Sequence, residues 1–281
     1  MAPLNSELKN KYDRLLETIS GYGKAVVAFS GGLDSGFVVY AAVKALGREN
    51  VLAVTADSES LARDDKDYAA NFVKTIGIPD RHRAIRTNEL ADENYASNKS
   101  DRCFFCKHEL FSKLEKFALE NDYDCVLDGA NASDIGDHRP GQRAARNHAV
   151  KSPLLDVGLS KDEIREIARS EGLEIWDKPQ AACLASRIPY GDRVTPEKLA
   201  MVEKAERVLR ECGFRQMRVR HHGKIARIEI EEKDIERFVE PQLRQRISEE
   251  FRGIGFLWVT LDLKAFKTGS MNIMIEDGKR E

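Results

Sequence analysis

Residues 24–29, KAVVAF, form an apolar run that stops at Ser30-Gly31-Gly32, after which Phe37, Val38, Ala41, Ala42, Ala45 and Leu46 recur at helical spacing. The pattern predicts a strand, a tight loop and a helix. It repeats along the chain: VLAVTA (51–56) precedes a helical stretch from about 61 to 76, and an exposed strand near 82–86 leads to a helix from about 106 to 120. DCVLDG (124–129) is the next buried strand. Strands alternating with helices of this length predict βαβ units, so the first domain is read as α/β, a parallel sheet with helices on both faces.

A further helix from about 160 to 170 stops at Gly172, and the segment from Trp176 to Pro196 then holds three prolines and a glycine. The domain boundary is placed there, giving residues 1–180 and 181–281. In the second part, 196–212 reads as helix, QMRVRHH and KIARIEI as two strands around His222-Gly223, and 233–252 as helices leading into FLWVTLDL. This predicts a smaller α+β domain for substrate binding or oligomerisation. Trp176 and Trp258 are read as packing residues, and His221-His222 as part of a hairpin, because adjacent strand residues point to opposite faces.

A length of 281 residues fits a main core plus a smaller unit. Lys and Arg total 45 against 47 Asp and Glu, so the net charge of −2 gives no general electrostatic ground for binding nucleic acid. The first residues are charged throughout and no apolar run is long enough to span a bilayer, which predicts a cytoplasmic protein with no membrane partner. In that reducing compartment the odd count of five cysteines favours metal or sulfur chemistry over disulfides.

The string SGGLDS (30–35) lies where a buried strand gives way to a helix. Glycines there allow close backbone approach, and the helix start offers unpaired N–H groups and positive dipole to an anion. A plain glycine turn explains Gly31 and Gly32 but not Ser30, Asp34 and Ser35. The lysine of a Walker loop is absent, which argues against γ-phosphate transfer. The string resembles the PP-loop of the N-type ATP pyrophosphatases, which activate a carboxylate or carbonyl oxygen as an adenylate. The resemblance implies an adenine nucleotide alpha hydrolase-like fold and an ATP site with Mg²⁺. Ser30, Gly31, Gly32, Asp34 and Ser35 would hold phosphates, and Ala56 and Ser58 would border the adenine.

Cys103 and Cys106 form a CxxC, and Cys183 stands alone in the Pro-rich segment. A CxxC at a helix start suits a persulfide or metal; a buried pair or a zinc site are the other readings. Three thiolates would fill three corners of a [4Fe-4S] cluster and leave one iron open. Cys125 and Cys212 are read as core residues.

SGGLDS together with DGANASDIGDHRPG (128–141), AACLASRIPYG (181–191) and RVRHHGKIARIEI (218–230) resembles the LarE family of ATP-dependent sacrificial sulfur transferases, in order across nearly the whole chain. The resemblance implies adenylation of a carboxylate of pyridinium-3,5-biscarboxylic acid mononucleotide and its conversion to a thiocarboxylate, a step towards the nickel-pincer nucleotide. Cys183 matches the family's sulfur donor, which in single-cysteine members ends as dehydroalanine. The added Cys103 and Cys106 resemble the three-cysteine subgroup, in which a [4Fe-4S] cluster carries an extra sulfide. Arg187 would grip phosphate or form an ordinary ion pair; Arg218 and Arg220 would hold anionic substrate groups or face solvent. Glu206 and Glu229 match acidic metal or substrate positions, and read equally as surface carboxylates. Asp128, Asp134, Asp137 and Arg139 would hold Mg²⁺ or orient substrate, or form a polar turn, and Lys107 would reach phosphate or lie on a helix surface. Family members form rings, which implies a homo-oligomer. The competing readings are a tRNA thiolation enzyme, an amidating synthetase and a non-catalytic ATP-binding protein.

Overall fold

The computed structural model describes residues 4–135, 140–180 and 182–267. In chain order the elements are α1 (Ser6–Ser20), β1 (Ala25–Ala28), α2 (Leu33–Leu46), β2 (Val51–Asp57), α3 (Arg63–Thr75), β3 (His82–Arg86), α4 (Glu93–Ala96), α5 (Arg102–Glu120), β4 (Cys125–Leu127), α6 (Pro140–Asn147), α7 (Pro153–Asp156) and α8 (Lys161–Ser170). There follow α9 (Pro196–Glu211), β5 (Met217–His222), β6 (Ile225–Ile230), α10 (Ile235–Phe238), α11 (Pro241–Ile254) and β7 (Trp258–Leu261). Two compact units emerge: Met1–Glu89 with Cys103–Gln180, and Leu90–Arg102 with Ala181–Glu281. A single cut in the chain does not separate them, because Leu90–Arg102 leaves the first unit to pack with the second.

The first unit is built on an all-parallel sheet of order β3-β2-β1-β4. Because strand side chains alternate, Ala25, Val27 and Phe29 enter one core and Val26 and Ala28 the other. The first core is closed by α1, α2, α3 and α8, and the second by Leu110, Phe111 and Leu114 of α5 with Ala144 and Ala145 of α6. Both faces are therefore covered, as continuous apolar strands require. Local signals set the helix starts. The Asn5 side chain accepts from the Leu8 N–H at 2.8 Å to cap α1, and Ser160 and Glu163 form a reciprocal capping box on α8. β3 is a half-exposed edge strand.

In the second unit β5 and β6 pair antiparallel and β7 adds parallel to β6. Met217 and Val219 join Ala226, Ile228 and Ile230 in a core closed by Ala205 and Leu209 of α9 and by Ile247 and Phe251 of α11. Thr195 caps α9 and Pro196 occupies its first turn, where the missing N–H costs nothing. The hairpin turn is Gly223-Lys224, with Gly223 at φ +61°. His221 is buried edge-on to Phe256. Trp176 packs on the first unit's core as expected. Trp258 does not: it is 59% exposed on β7, whose outer edge has no partner strand among the described residues. No helix among the described residues is long and apolar enough to cross a membrane.

Candidate functional site

Parallel strands bring their carboxyl ends to one edge, and the sheet order puts three candidate segments there. β1 runs into Ser30–Ser35, β2 ends at Asp57 beside Ala56 and Ser58, and β4 ends just before Asp128. The Phe29 N–H donates to the Val54 carbonyl at 2.8 Å, which continues the β1–β2 register to the threshold of the loop.

Gly31 sits at φ +76°, and a Cβ there would lie 2.7 Å from the Asp65 carbonyl oxygen in the first turn of α3. Glycine is required on both counts. Gly32 occupies the cap position of α2, and no side chain caps it. The first N–H groups of α2 are thus presented without a side-chain competitor. Ser30 and Ser35 brace the loop from within, their hydroxyl oxygens 3.1 Å apart, while the Ser35 hydroxyl accepts from the Ser30 N–H at 3.2 Å. Asp34 is 3.5 Å from the Lys161 ammonium. From the β4 side, Gly129 presses on this turn so closely that a Cβ would meet the Ser35 nitrogen at 2.6 Å. Asp128 accepts from the Ser152 hydroxyl at 2.7 Å and from the Ala130 N–H at 3.1 Å. Ser58 contacts the Ser60 hydroxyl at 3.0 Å, and Ser60 donates to buried Glu89 at 2.6 Å. Asp134 is spent on a turn, accepting from the Asn131 N–H in a capping box. Arg139 and Asp137 lie outside the described residues.

Cys103 and Cys106 are both partly exposed near the start of α5, three residues apart and so on one face. Lys107 follows on the same helix, its ammonium 5.3 Å from the Phe111 ring centre. None of the five cysteines is in a disulfide. Cys125 and Cys212 pack against the two cores, and burial pushes the Cys125 thiol up to about 11.

In the second unit Cys183 is exposed and precedes a single 3-10 turn, Leu184–Arg187. Buried guanidinium groups hold this turn by its carbonyl oxygens. Arg187 donates to the carbonyls of Ala182 and, at 3.0 Å, of Cys183. Arg102 donates to Ala185 at 2.9 Å and Arg220 to Ser186 at 3.0 Å. Asn98, at φ +57°, donates to the carbonyls of Pro189 at 2.7 Å and Asp192 at 2.9 Å. That network explains why Leu90–Arg102 joins this unit.

Two of the turn-holding arginines are themselves fixed by carboxylates. Arg187 forks onto Glu206 at 2.8 and 2.9 Å, and Arg220 onto Glu229 at 3.0 and 2.7 Å. The expectation of surface carboxylates is therefore corrected: Glu206 and Glu229 are 3% and 2% exposed. They are tolerable there because each is paired bidentately. Burial alone would raise the Glu206 carboxyl, but Arg187 holds it below the usual carboxylate range. Their proposed metal role meets the same guanidinium groups, and no three His, Cys, Asp or Glu side chains gather as a metal site among the described residues. Arg187 likewise serves Glu206 and backbone rather than standing open to an anion. Arg218 and Arg220 are not on a solvated face, since both are buried. Arg218 stacks 5.0 Å from the Phe266 ring, and burial, followed by the charge of Arg187, brings its guanidinium down to about 10.

Sequence reasoning missed Lys178, Asn98, Arg102 and Gly129 as individual site residues. Gly129 lies inside the string 128–141, but only its neighbours were read as site residues; the three polar ones sit in no recognisable motif position and have partners between 83 and 147 residues away.

Residues 7–111, from α1 into α5, match the NAD synthase family. Over 265 residues the chain is 35% identical to the pyridinium-3,5-bisthiocarboxylic acid mononucleotide synthase of Lactiplantibacillus plantarum, covering 94% of this chain and 95% of that one. An uncharacterized protein of Synechocystis sp. is 41% identical over 265 residues, 94% of this chain and 98% of its own. An uncharacterized protein of Methanocaldococcus jannaschii is 32% identical over 245 residues, 87% of this chain and 91% of its own. With the loop of Ser30–Ser35 at the carboxyl edge of a parallel sheet and a near full-length match at this identity, the chain belongs to the pyridinium-3,5-bisthiocarboxylic acid mononucleotide synthase (LarE) family, ATP-dependent adenylating enzymes built on a PP-loop domain.

Proposed function

We propose that this protein is a cytoplasmic sulfur transferase that uses ATP to convert a carboxylate of pyridinium-3,5-biscarboxylic acid mononucleotide into a thiocarboxylate. The observation that carries the sulfur-transfer reading is an exposed Cys183 thiol on a turn whose carbonyls are held by buried arginines. Such a thiol is reachable by substrate yet fixed in place, as a sulfur-delivering group needs.

In the first step Ser30, Gly31, Gly32 and Ser35 would hold the polyphosphate at the start of α2, with the adenine against Ala56 and Ser58. Asp128, just past the end of β4, is the carboxylate suited to Mg²⁺ on the phosphates. Lys107 and Arg139 remain candidates for further phosphate contacts. A substrate carboxylate oxygen bonds to the α-phosphorus as the bond to the β-phosphate oxygen breaks, and pyrophosphate leaves. The carboxyl carbon is then an acyl adenylate with AMP as its leaving group.

Arg187, Arg218 and Arg220 are buried together, and the charges of Arg187 and Arg220 both act to lower the Arg218 guanidinium. An anionic substrate group beside Arg218 would offset that repulsion. Sulfur then bonds to the activated carbon and AMP departs.

Two sources of sulfur suit the residues present. In type and number the thiols of Cys103, Cys106 and Cys183 match the donor set of a [4Fe-4S] cluster, although no three such side chains gather as a metal site among the described residues; the cluster when bound would leave an iron free to bind sulfide. Alternatively the Cys183 thiolate itself attacks the acyl carbon; loss of its Cα proton and cleavage of its Cβ–S bond then release the thiocarboxylate and leave dehydroalanine. Anaerobic purification with iron and acid-labile sulfide analysis tests the first. About four irons per chain, lost on changing any of the three cysteines to Ala, is the expected result. If reconstitution yields no iron, the cluster is ruled out, and a Cys183 lighter by one H₂S after turnover identifies the single-use route. A homo-oligomer with no nucleic-acid partner completes the proposal; tight tRNA binding would instead favour RNA thiolation.

A further inference from the structure

The candidate phosphate loop has a largely buried cation that its own sequence string does not provide. Lys178 lies in the segment after α8, its side chain 11% exposed. Its ammonium donates to the Gly31 carbonyl at 2.7 Å, pairs with Asp65 at 2.9 Å and sits 3.8 Å from the centre of the Tyr68 ring. Burial pulls its pKa below the ordinary value, with Asp65 opposing. Three directed contacts leave this ammonium one position.

A backbone cradle holds an anion only if its N–H groups face the anion and its carbonyls face away. The peptide between Gly31 and Gly32 is the weak point. Gly31 is at φ +76° and Gly32 is extended at φ −81°, ψ 167°, and neither has a side chain to hinder rotation. Turning that peptide over would aim its carbonyl oxygen at the phosphate and remove the Gly32 N–H. In the structure the carbonyl accepts from Lys178 at 2.7 Å while the Gly32 N–H, which a planar trans peptide points the opposite way, donates a long 3.4 Å bond to the Ser30 hydroxyl within the loop.

We propose that Lys178 is a positioning residue of the ATP site: its ammonium pins the Gly31 carbonyl outward and so keeps the Gly32 N–H directed at the pyrophosphate end of ATP. The inference rests on residues 30–35 being the phosphate site. Asp65 supports it twice, by fixing the ammonium through its side chain and by setting its own carbonyl against Gly31.

The test is calorimetric binding of Mg·ATP, Mg·pyrophosphate and adenosine to the full-length wild type and to Lys178→Met, Lys178→Arg and Asp65→Asn. Loss of one hydrogen bond to a charged group corresponds to a roughly ten- to hundredfold loss of affinity, expected in Lys178→Met for ATP and pyrophosphate. Adenosine, which does not use the cradle, should stay within about twofold, and Lys178→Arg, which keeps a donor, should recover most of the loss. Asp65→Asn, which removes one of the contacts that fix the ammonium but leaves the Gly31 bond, should lose less pyrophosphate affinity than Lys178→Met. Wild-type affinity in Lys178→Met overturns the proposal, as does an equal loss for adenosine. A loss in Asp65→Asn matching that of Lys178→Met would assign the effect to the ion pair and overturn it too. Wild-type protein that binds neither ATP nor pyrophosphate would instead remove the reading of the loop itself.

Discussion

Arg187 and Glu206 form a bidentate ion pair, at 2.8 and 2.9 Å, with both side chains 4% exposed. The same guanidinium donates to the Cys183 carbonyl, so one residue neutralises a buried carboxylate and fixes the thiol-bearing turn. These roles are separable. Arg187→Ala leaves Glu206 charged and buried, which should cost about 3–5 kcal/mol of unfolding free energy. Replacing both partners with apolar residues, Arg187→Met with Glu206→Leu, should restore part of that stability, the remaining loss coming from the buried Val219 N–H that Glu206 accepts at 3.1 Å, while sulfur transfer stays low. Urea unfolding and thiocarboxylate formation read the two effects, and full activity in the stable double variant would show that the Cys183 turn needs no brace.

Acid should loosen the second unit through this pair. The folded-state carboxyl of Glu206 is lower than its ordinary value of 4.5, so its stabilisation is complete above that value and fades as pH falls towards the folded pKa. Glu163 and Glu171, lowered in the first unit in spite of burial by Lys11 and Lys44, act in the same direction. Urea midpoints measured across the acid range should decline less steeply in Glu206→Gln than in the parent. Parallel curves would show that Glu206 does not contribute to the acid limb.

Gly129→Ala should injure the nucleotide site without unfolding the protein. The added Cβ meets backbone atoms at the start of α2, 2.6 Å from the Ser35 nitrogen, and backbone cannot swing aside as a flexible side chain can. A displaced loop should raise the ATP dissociation constant by roughly tenfold or more, about 1.4 kcal/mol, with little change in circular dichroism. Unaltered ATP binding would mean that the turn relaxes freely.

Alkylation should rank the thiols. Cys183 is exposed, whereas burial of Cys125 pushes its thiol to about 11, leaving about one part in a thousand as thiolate at pH 8. Iodoacetamide at that pH, followed by peptide mass analysis, should modify Cys183 long before Cys125. Equal rates would indicate that the Cys125 pocket opens readily.

The α/β architecture was legible in the sequence because it rests on local and periodic signals. Apolar runs of strand length alternating with helical spacing specify the parallel sheet, and Ser30–Ser35 stands out as the candidate anion loop by composition and position alone. The three candidate cysteines and Arg187, Arg218, Arg220, Glu206 and Glu229 were likewise legible as chemistry-bearing residues. Their burial was not: for Arg218, Arg220 and Glu229 alternation along a strand cannot reveal whether its second face is covered, and neither the helix position of Glu206 nor the turn position of Arg187 shows what packs over it. Glu206 and Glu229, read equally as metal or substrate positions and as surface carboxylates, are instead buried with bidentate arginine partners. The same limit hid Trp258, which is 59% exposed on the edge strand β7. Lys178 lies 147 residues from Gly31, and Asn98 91 residues from Pro189. Such pairings have no periodicity and no fixed spacing, because the path between the partners is set by how the intervening elements pack. The sequence by itself determined the elements and the candidate phosphate loop, because both rest on local signals; the tertiary structure decided which charges are buried together and which backbone groups they hold.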